Sequence, residues 1–520
     1  MKRGQFSFVA KGNYIHGAFV APLDKTGEWI SLSPADTTDQ LGRISFSYRS
    51  VDEAVGAARS AFASWRKVGF SERANLLKKY QTALKQKAEE LAEAIAREVG
   101  KPLWEAKNEV QTMIQKVDVT LDESMKRVSD QEIPQIMPGT QGATRFKPHG
   151  VMAVIGPFNF PGHLANGHIV PALATGNTVV FKPSEKSPIV GQLMAECFHE
   201  AGFPAGVFNL LQGEKEVGRR LVVHEGVNGV LFTGSYEVGL RIKQETLQQS
   251  WKLLALEMGG KNATIVWKDA ELDHAVHEVL FSAFVTAGQR CSATSRVIVH
   301  ADLLDAFVYK LHERSKAFGI AHPLENPFMG PLIDSASVDR YLKFQGIASR
   351  EGAEAIMRGK ALEIKDAPGY YVTPSIYLQR EASVQSAKRS VYQQTELFAP
   401  NVVILPTEEL HHAVELANAT HYGLVTSVFT RSSEIFHRAY EDLEAGLINW
   451  NRSTVGASSK LPFGGLKKSG NHFPTALFAT QYCAYPVASL EAPEAQLPAL
   501  AQMSPGLNWE KSVPSPESST

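Results

Sequence analysis

The chain has 520 residues, of which 44% are hydrophobic and 21% charged, with a formal net charge of -1. At roughly 100–200 residues per domain, this length predicts two or three packed units. The near-neutral charge argues against a nucleic-acid-binding protein, which would carry a basic excess, and gives no attraction to anionic membranes.

Short strands are predicted up to about residue 50, followed by amphipathic helices from Val51 to about Val128, one of them starting near Ser71. Residues 129–148 are rich in proline and glycine, which predicts a loop or an excursion between elements. Buried strands and helices alternate from residue 150, which predicts a doubly wound parallel sheet, and a second α/β unit follows after about residue 257. The expected strands are 150–156, 178–181, 230–232, 263–267, 296–300, 402–405 and 427–430, with a helix over 189–201.

Neither a membrane span nor a secretory leader is expected. No stretch approaches the roughly 20 apolar residues that cross a bilayer, and the apolar segment at residues 6–10 is too short for a signal peptide. The three cysteines, Cys197, Cys291 and Cys483, do not suggest a disulfide framework. We therefore expect a soluble, cytoplasmic protein, with a Pro-, Ser- and Ala-rich C-terminal tail over residues 491–520.

Cys291 lies in the segment Gly-Gln-Arg-Cys-Ser. A lone cysteine is more often a core residue than a nucleophile, and the apolar or aromatic neighbours of Cys197 and Cys483 favour the core for both. Glycine and polar residues surround Cys291, and Arg290 adjoins it. This setting favours a thiol that can ionise and attack a carbonyl group.

Glu257 follows an apolar run and precedes Gly259 and Gly260. A lone glutamate is usually a solvated surface charge, but this one is predicted at a strand end, where glycines let the backbone approach a ligand. Partial burial disfavours the charged form of a carboxyl group, so Glu257 could act as a general base near neutral pH.

Asn159 follows the predicted strand 150–156 and lies between Pro157 and Pro161, which restrict the turn. Its side-chain amide could donate a hydrogen bond to a developing oxyanion. It could equally well satisfy only its own loop, and the segment alone does not separate the two interpretations.

Two further segments have features of a nucleotide site. Lys182, Ser184 and Glu185 follow a strand, and a carboxylate there can accept hydrogen bonds from ribose hydroxyls, although helix capping is an alternative. Gly234 and Ser235, with Gly239 further on, lie between a strand and a helix, which suits a phosphate at a helix N-terminus. This spacing differs from the G-x-G-x-x-G fingerprint, so the second signal is weak.

Taken together, these segments resemble the aldehyde dehydrogenase superfamily over nearly the whole chain. The matching positions, in the family's order, are Asn159, Lys182, Glu185, Gly234, Glu257, Cys291, Glu396 and the segment 462–465. The resemblance implies that Cys291 attacks the aldehyde, that Asn159 and the Cys291 backbone N–H form an oxyanion hole, and that Glu257 activates water to hydrolyse a thioester.

The resemblance also implies NAD as the cofactor. Lys182, Ser184 and Glu185 would hold the adenosine ribose, and Gly234, Ser235 and Gly239 would border the pyrophosphate. Glu396 would hold the nicotinamide ribose, with Phe398 packing nearby. Glu185 favours NAD over NADP because its charge would repel a 2′-phosphate. No metal is expected.

The implied fold is α/β, with two doubly wound α/β domains and a small β excursion for oligomerisation. The expected boundaries are residues 1–128 and 149–256 for NAD binding, 257–465 for catalysis, and 129–148 and 466–490 for assembly into a dimer or tetramer.

Segments such as 160–173, 282–291, 469–472 and 482–486 also resemble one branch of the family, whose members oxidise N-succinylglutamate 5-semialdehyde in bacterial arginine degradation. Lys261, Ala399 and residues 451–454 depart from that branch. His163, Arg452 and Ser453 are the candidates for contact with the substrate. Another semialdehyde, such as glutamate 5-semialdehyde, is the alternative substrate, and a non-catalytic paralogue is the remote alternative.

Overall fold

The computed structural model describes residues 8–493 except positions 23 and 138, so most of the expected C-terminal tail lies outside the described residues. The strands, in chain order, are β1 Asn13–Ile15, β2 Ala18–Val20, β3 Gly27–Ser33, β4 Asp36–Phe46, β5 Gln131–Met137, β6 Thr140–Pro148, β7 Val151–Ile155, β8 Thr178–Lys182, β9 Phe208–Leu210, β10 Gly229–Thr233, β11 Leu253–Glu257, β12 Asn262–Val266, β13 Thr294–His300, β14 Glu354–Met357, β15 Ala361–Ile364, β16 Ala367–Val372, β17 Ser375–Leu378, β18 Asn401–Thr407, β19 Tyr422–Gly423, β20 Val425–Phe429, β21 Leu447–Trp450, β22 Pro462–Phe463, β23 Leu466–Lys467, β24 Thr475–Ala476 and β25 Ala484–Glu491.

The α-helices, in chain order, are α1 Ser50–Trp65, α2 Phe70–Gln86, α3 Ala88–Val99, α4 Leu103–Val119, α5 His163–Ala174, α6 Pro188–Glu200, α7 Lys215–Val223, α8 Tyr236–Glu245, α9 Leu272–Phe284, α10 Leu304–Ser315, α11 Ser335–Arg350, α12 Val384–Arg389, α13 Val391–Gln394, α14 Leu410–Asn418, α15 Ser433–Asp442 and α16 Ala479–Tyr482. The helix expected to start near Ser71 begins one residue earlier, at Phe70. Within the described residues, no helix combines the length and the apolarity that crossing a membrane requires.

The first large sheet has the strand order β11-β10-β7-β8-β9-β1-β2. The strands from β11 to β9 are parallel, and β1 joins β9 antiparallel. Alternate residues of β7 enter different cores, with Val151 and Ala153 in one and Met152 and Val154 in the other. Burial on both faces explains why these strands are continuously apolar rather than alternating.

The second large sheet has the strand order β14-β17-β18-β13-β12-β20-β21 and is parallel except for β14. Its strands and the flanking helices bury one hydrophobic core, separate from those of the first sheet. The predicted α/β class with two doubly wound units is therefore confirmed. The boundaries proposed for the domains stay a prediction.

Strands β5 and β6 pair as a hairpin, where the prolines and glycines of segment 129–148 favoured a loop or an excursion. β25 pairs with the other side of β6 and completes a three-stranded antiparallel sheet. Pro134 lies in the edge strand β5 and Pro148 is the last residue of β6. Proline is tolerated at sheet edges and strand ends because few ladder hydrogen bonds are lost there.

Candidate active site

A cavity of about 790 Å³ opens at the carboxyl edge of the first sheet. The chain runs outward from β7 to β9 on one side and from β10 to β11 on the other, so β7 and β10 meet at a topological switch point. Ligands of doubly wound sheets bind in the crevice at such a point. Residues Gly156 to Asn159 after β7, and Gly234 and Ser235 after β10, line this cavity.

The cavity brings together most of the residues singled out from the sequence. Its size lies within the roughly 300–1,000 Å³ typical of small-molecule and cofactor sites. The predicted site residues that line it are Asn159, Lys182, Ser184, Glu185, Gly234, Ser235, Cys291, Glu396 and Phe398.

Cys291 lies in the loop that leads into β13 of the second sheet. Asn262, the first residue of β12, donates side-chain hydrogen bonds to the carbonyls of Cys291 (2.7 Å) and Ala293 (2.9 Å). A β-carbon at Gly260 would lie 2.3 Å from the Cys291 carbonyl oxygen. Glycine is therefore required at position 260 for the two segments to approach this closely.

The environment of Cys291 keeps its thiol protonated in this state. Burial raises the pKa of Cys291 to about 12, and the carboxyl groups of Glu396 and Glu257 add to the rise. Arg290 and the backbone N–H of Ser292 act in the opposite direction but do not prevail. Burial thus outweighs the one neighbouring cation, and the polar setting that favoured an ionisable thiol does not lower the pKa of Cys291 here.

Asn159 is buried and contacts the nucleophile's loop directly. Its side-chain Nδ2 donates a hydrogen bond to the Gln289 carbonyl, at 2.9 Å. Gln289 is held in turn, because its Oε1 accepts from the Ile333 N–H and its Nε2 donates to the Thr286 and Pro331 carbonyls. The Asn159 amide thus bonds outside its own loop, to a segment two residues before Cys291.

Glu257 ends β11, as predicted, but its side chain is buried outside the lining of the cavity. A β-carbon at Gly464 would lie 3.0 Å from Oε1, so the glycines of segment 462–465 leave room for this carboxyl group. Oε2 has no hydrogen-bond partner. Burial raises the pKa of Glu257 well above its ordinary value, and a bond from the Thr475 N–H opposes the rise only partly.

Glu396 is packed against the glycines that follow Glu257. Its Oε1 accepts a hydrogen bond from the Gly260 N–H at 2.9 Å, and a β-carbon at Gly259 would lie 1.8 Å from Oε2. Burial raises the pKa of Glu396 to about 7. Phe398 lies nearby with a positive φ of 56° and packs edge-to-face on Phe158, with ring centroids 5.8 Å apart.

Lys182 and Glu185 form one polar end of the cavity. The Lys182 ammonium is buried, donates to the Pro183 carbonyl at 2.9 Å and lies 3.6 Å from Glu185 Oε2. Glu185 itself is about half-exposed, so its carboxylate is available to a ligand, and Ser184 lines the cavity beside it. A diol that accepts from the ammonium and donates to the carboxylate fits this pair.

Gly234 and Ser235 line the cavity at the start of α8, and Ser235 caps that helix by accepting from the Val238 N–H. Gly239 is not among the residues that line it, and its expected place beside a pyrophosphate stays a prediction. A β-carbon at Gly239 would lie 2.5 Å from Met258 Sδ. This residue faces inward against Met258, and the absence of a side chain lets the helix pack closely there.

The three candidates for substrate contact do not line this cavity. Arg452 is exposed. Ser453 is buried and its polar groups are in use, since its N–H donates to Glu278 at 2.6 Å and its Oγ accepts from the Val455 N–H. His163 begins α5, and its Nδ1 is buried without a partner. Of the three, only His163 therefore has a buried side-chain nitrogen without a hydrogen-bond partner.

Other residues of the cavity were missed by sequence reasoning. Arg340 of α11 lines it and donates to the Glu396 carbonyl, and Tyr422 and Lys468 line it as well. Arg340 lies on an ordinary amphipathic helix, and nothing in the local pattern marks it. Lys468 closely follows segment 462–465, which resembles the family, and this proximity was the sequence signal that could have identified it.

Comparison with known proteins gives a consistent result. The model of the aldehyde dehydrogenase family matches residues 23–483. The chain is 41% identical over 494 residues to an N-succinylglutamate 5-semialdehyde dehydrogenase of Chromobacterium violaceum, covering 92% of this chain and 98% of that protein. It is 40% identical over 443 residues to a protein of the same name from Novosphingobium aromaticivorans, covering 85% and 92%. A solved 1-pyrroline-5-carboxylate dehydrogenase from Thermus with bound NAD superposes with a TM-score of 0.86 at 31% identity, covering 93% of each chain.

Proposed function

The chain belongs to the aldehyde dehydrogenase family, and we propose that it oxidises N-succinyl-L-glutamate 5-semialdehyde to N-succinyl-L-glutamate with NAD, through a thioester on Cys291, in arginine degradation. The chemistry of this proposal rests on one observation. Cys291 and Asn159 line a single cavity that also contains Glu396 and the pair Lys182 and Glu185, which suit the hydroxyl groups of a dinucleotide.

The proposed reaction uses these residues in two stages. The Cys291 thiol releases its proton to solvent as its sulfur bonds to the aldehyde carbon. The carbonyl oxygen, which becomes negative as its double bond opens, is stabilised by the Asn159 amide and the Cys291 backbone N–H. Lys182, Glu185 and Glu396 would hold NAD, which would supply the acceptor for the hydride that leaves the resulting thiohemiacetal. Glu257 then takes a proton from water, which attacks the thioester and releases the acid and the thiol.

Glu257 acts in this scheme only as a carboxylate, and burial favours its neutral form in the empty site. Oε2, which is buried without a hydrogen-bond partner, is the oxygen that would accept the proton from water. Release of the Glu257 proton is therefore part of the proposed cycle.

The preference for NAD over NADP is part of the proposal. Glu185 is half-exposed beside the buried Lys182 ammonium, and a carboxylate there would repel a 2′-phosphate. Steady-state kinetics with both cofactors test this preference. A higher kcat/KM with NADP would contradict it.

The substrate is proposed from the relatives named above, which are 40–41% identical over most of the chain. The decisive experiment is steady-state kinetics with N-succinylglutamate 5-semialdehyde, glutamate 5-semialdehyde and several aliphatic aldehydes. We expect the highest kcat/KM with the succinylated compound. Equal or higher values with aliphatic aldehydes would overturn the substrate assignment but leave the chemistry intact.

Glutamate 5-semialdehyde is the second candidate, because the Thermus 1-pyrroline-5-carboxylate dehydrogenase shares 31% identity and the whole fold. The same panel separates the two substrates. Of the three candidate contacts, only His163 has a buried side-chain atom without a partner, Nδ1, and it is kept as the candidate for binding the substrate.

Assembly and location complete the proposal. The exposed edge of β5, in the sheet β25-β6-β5, supports assembly into a homodimer or homotetramer. The cysteines Cys197, Cys291 and Cys483 are all free, which supports a reducing compartment such as the cytoplasm.

A further inference from the structure

Helix α4 carries two buried glutamates, Glu105 and Glu109, which are 3% and 2% exposed. Four residues apart, they lie on the same face of the helix, one turn from each other. Each carboxylate binds a different loop of the candidate active site, and neither loop is close to α4 in the sequence.

Glu109 holds the loop that contains Asn159. Its Oε1 accepts hydrogen bonds from the backbone N–H groups of Gly162 and His163, both at 3.0 Å. Its Oε2 forms an ion pair with Lys101, in which both side chains are fully buried. The turn between Asn159 and the start of α5 is thus tied to α4 through one carboxylate.

Glu105 holds the loop that contains Cys291. Its Oε1 accepts from the Thr286 hydroxyl and from Arg290 Nη2, the latter at 2.6 Å. Arg290 Nε also donates to the Thr286 hydroxyl, at 2.7 Å, which closes a three-membered network. Glu105, Thr286 and Arg290 therefore fix the backbone immediately before the nucleophile.

The backbone held by Glu105 is in an unfavourable conformation. Thr286 and Ala287 have φ values of 57° and 53°, in the left-handed region that side chains with a β-carbon rarely adopt. Such conformations are costly and persist where the surrounding structure imposes them. The network of Glu105 supplies that restraint.

Phe160, the residue after Asn159, connects the two networks. Lys101 Nζ lies 3.3 Å from its ring centroid and Arg290 Cζ lies 4.8 Å from it. Lys101 belongs to the Glu109 pair and Arg290 to the Glu105 pair. The two loops are thus joined to each other as well as to α4.

We propose that Glu105 and Glu109 are positioning residues that set the distance and orientation of Asn159 relative to Cys291. The proposal rests on the proposed function, in that Asn159 and Cys291 are taken to act on the same carbonyl group. Neither glutamate touches the substrate. Buried ion pairs are on average weak contributors to stability, so stability alone does not account for the ion pairs of Glu105 and Glu109.

The test for Glu109 compares two double variants that both lack the charges of the Lys101–Glu109 pair. Lys101→Met with Glu109→Gln keeps an oxygen that accepts from Gly162 and His163, whereas Lys101→Met with Glu109→Leu removes it. We expect the Leu form to have a kcat about 10- to 100-fold below the Gln form, with an unchanged KM for NAD, since misplacement by about 1 Å has effects of this size. Equal kcat values would overturn the proposal.

The same comparison in an Asn159→Ala background separates positioning from general damage. If Glu109 acts through Asn159, the difference between its Leu and Gln forms should nearly vanish once the amide is gone. A difference of the same size in both backgrounds would overturn the proposal. Asp118→Asn, which removes an exposed α4 ion pair with Lys78, is the matched control and should leave kcat unchanged.

Thr286→Val tests the role of Glu105. It also keeps the proposal testable if the variant with Glu109→Leu fails to fold. Valine has the same shape and branching, so only the hydroxyl contacts with Glu105 and Arg290 are lost. We expect a kcat about 10-fold lower and little further loss in the Asn159→Ala background; an unchanged kcat would overturn the proposal. All measurements use whichever aldehyde the wild-type enzyme oxidises, so failure of the substrate assignment is recognised separately.

Discussion

The side-chain amide of Asn159 donates a hydrogen bond to the backbone carbonyl of Gln289, 2.9 Å away and two residues before Cys291. This bond joins the loop after β7 of the first sheet to the loop before β13 of the second. The amide is therefore held beside the segment that carries Cys291, as the proposed oxyanion hole would require.

Replacing Asn159 by Ala should lower kcat about 10²- to 10³-fold, as expected for the loss of one donor to a developing oxyanion. The affinity for NAD should stay unchanged. Steady-state kinetics and NAD titration measure both quantities, with the thermal unfolding temperature as a check on folding. A kcat near the wild-type value would show that Asn159 only holds its neighbours in place.

The thiol of Cys291 should react slowly at neutral pH in the absence of ligands, because burial raises its pKa to about 12. The alkylation rate should rise with pH up to and beyond pH 9. Mass spectrometry after treatment with iodoacetamide measures it, and the buried Cys197 and Cys483 serve as internal controls. A rate that levels off near pH 7 would contradict this account.

The charge of Glu396 also bears on the thiol. Its carboxyl group, whose pKa is raised to about 7, contributes to the high pKa of Cys291 when it is ionised. Glu396→Gln should therefore increase the rate of alkylation above pH 7, where the wild-type carboxyl group is charged. No change there would mean that burial alone determines the reactivity.

Turnover should decrease as the pH falls, because Glu257 acts as a carboxylate and burial raises its pKa well above the ordinary value. A base with a raised pKa loses its active form already at a pH where a solvated glutamate is still ionised. The kcat profile of the wild type should show this loss on the acidic side. A profile that stays flat down to pH 5 would be inconsistent with Glu257 as the base.

Glu185→Gln should raise kcat/KM for NADP relative to NAD, because it removes the charge that repels a 2′-phosphate. The change keeps the size of the side chain and leaves Lys182 in place. Kinetics with both cofactors give the ratio, and Glu72→Gln, at an exposed position of α2 outside the cavity, is the control. An unchanged ratio would remove Glu185 as the basis of cofactor choice.

Ile133→Glu and Ile136→Glu should weaken the assembly of subunits, because these side chains of β5 are 55% and 46% exposed in the single chain. Sedimentation velocity should show a dimer or tetramer for the wild type and smaller species for the variants. Tyr309→Glu, at an exposed site on α10, controls for added surface charge. A monomeric wild type would contradict the proposed role of this sheet.

Much of the site was predictable because its residues follow strand ends that are visible as apolar runs. Asn159, Lys182, Gly234 and Glu257 each come directly after, or at the end of, a predicted strand, and parallel strands bring these ends to one edge. Cys291 needed its polar neighbours and the family resemblance to be distinguished from a core cysteine.

The remainder depends on contacts between distant parts of the chain. Glu105 and Glu109 look like ordinary helix residues in the sequence, and only the fold brings Arg290 and His163 to them. The position of Gly239 depends on the rotation of α8 about its axis. Strand β5 can form despite Pro134 because it lies at the edge of its sheet, where proline is tolerated. None of these is set by local sequence.

Acid-quenched peptide mass spectrometry of the Glu257→Gln variant, mixed with NAD and the aldehyde, tests the thioester on Cys291 most directly. With the proposed base removed, the acyl group should accumulate on the peptide that contains Cys291, and Cys291→Ala should show neither the adduct nor turnover while still binding NAD. Full turnover by Cys291→Ala, or an acyl group on another residue, would contradict the account.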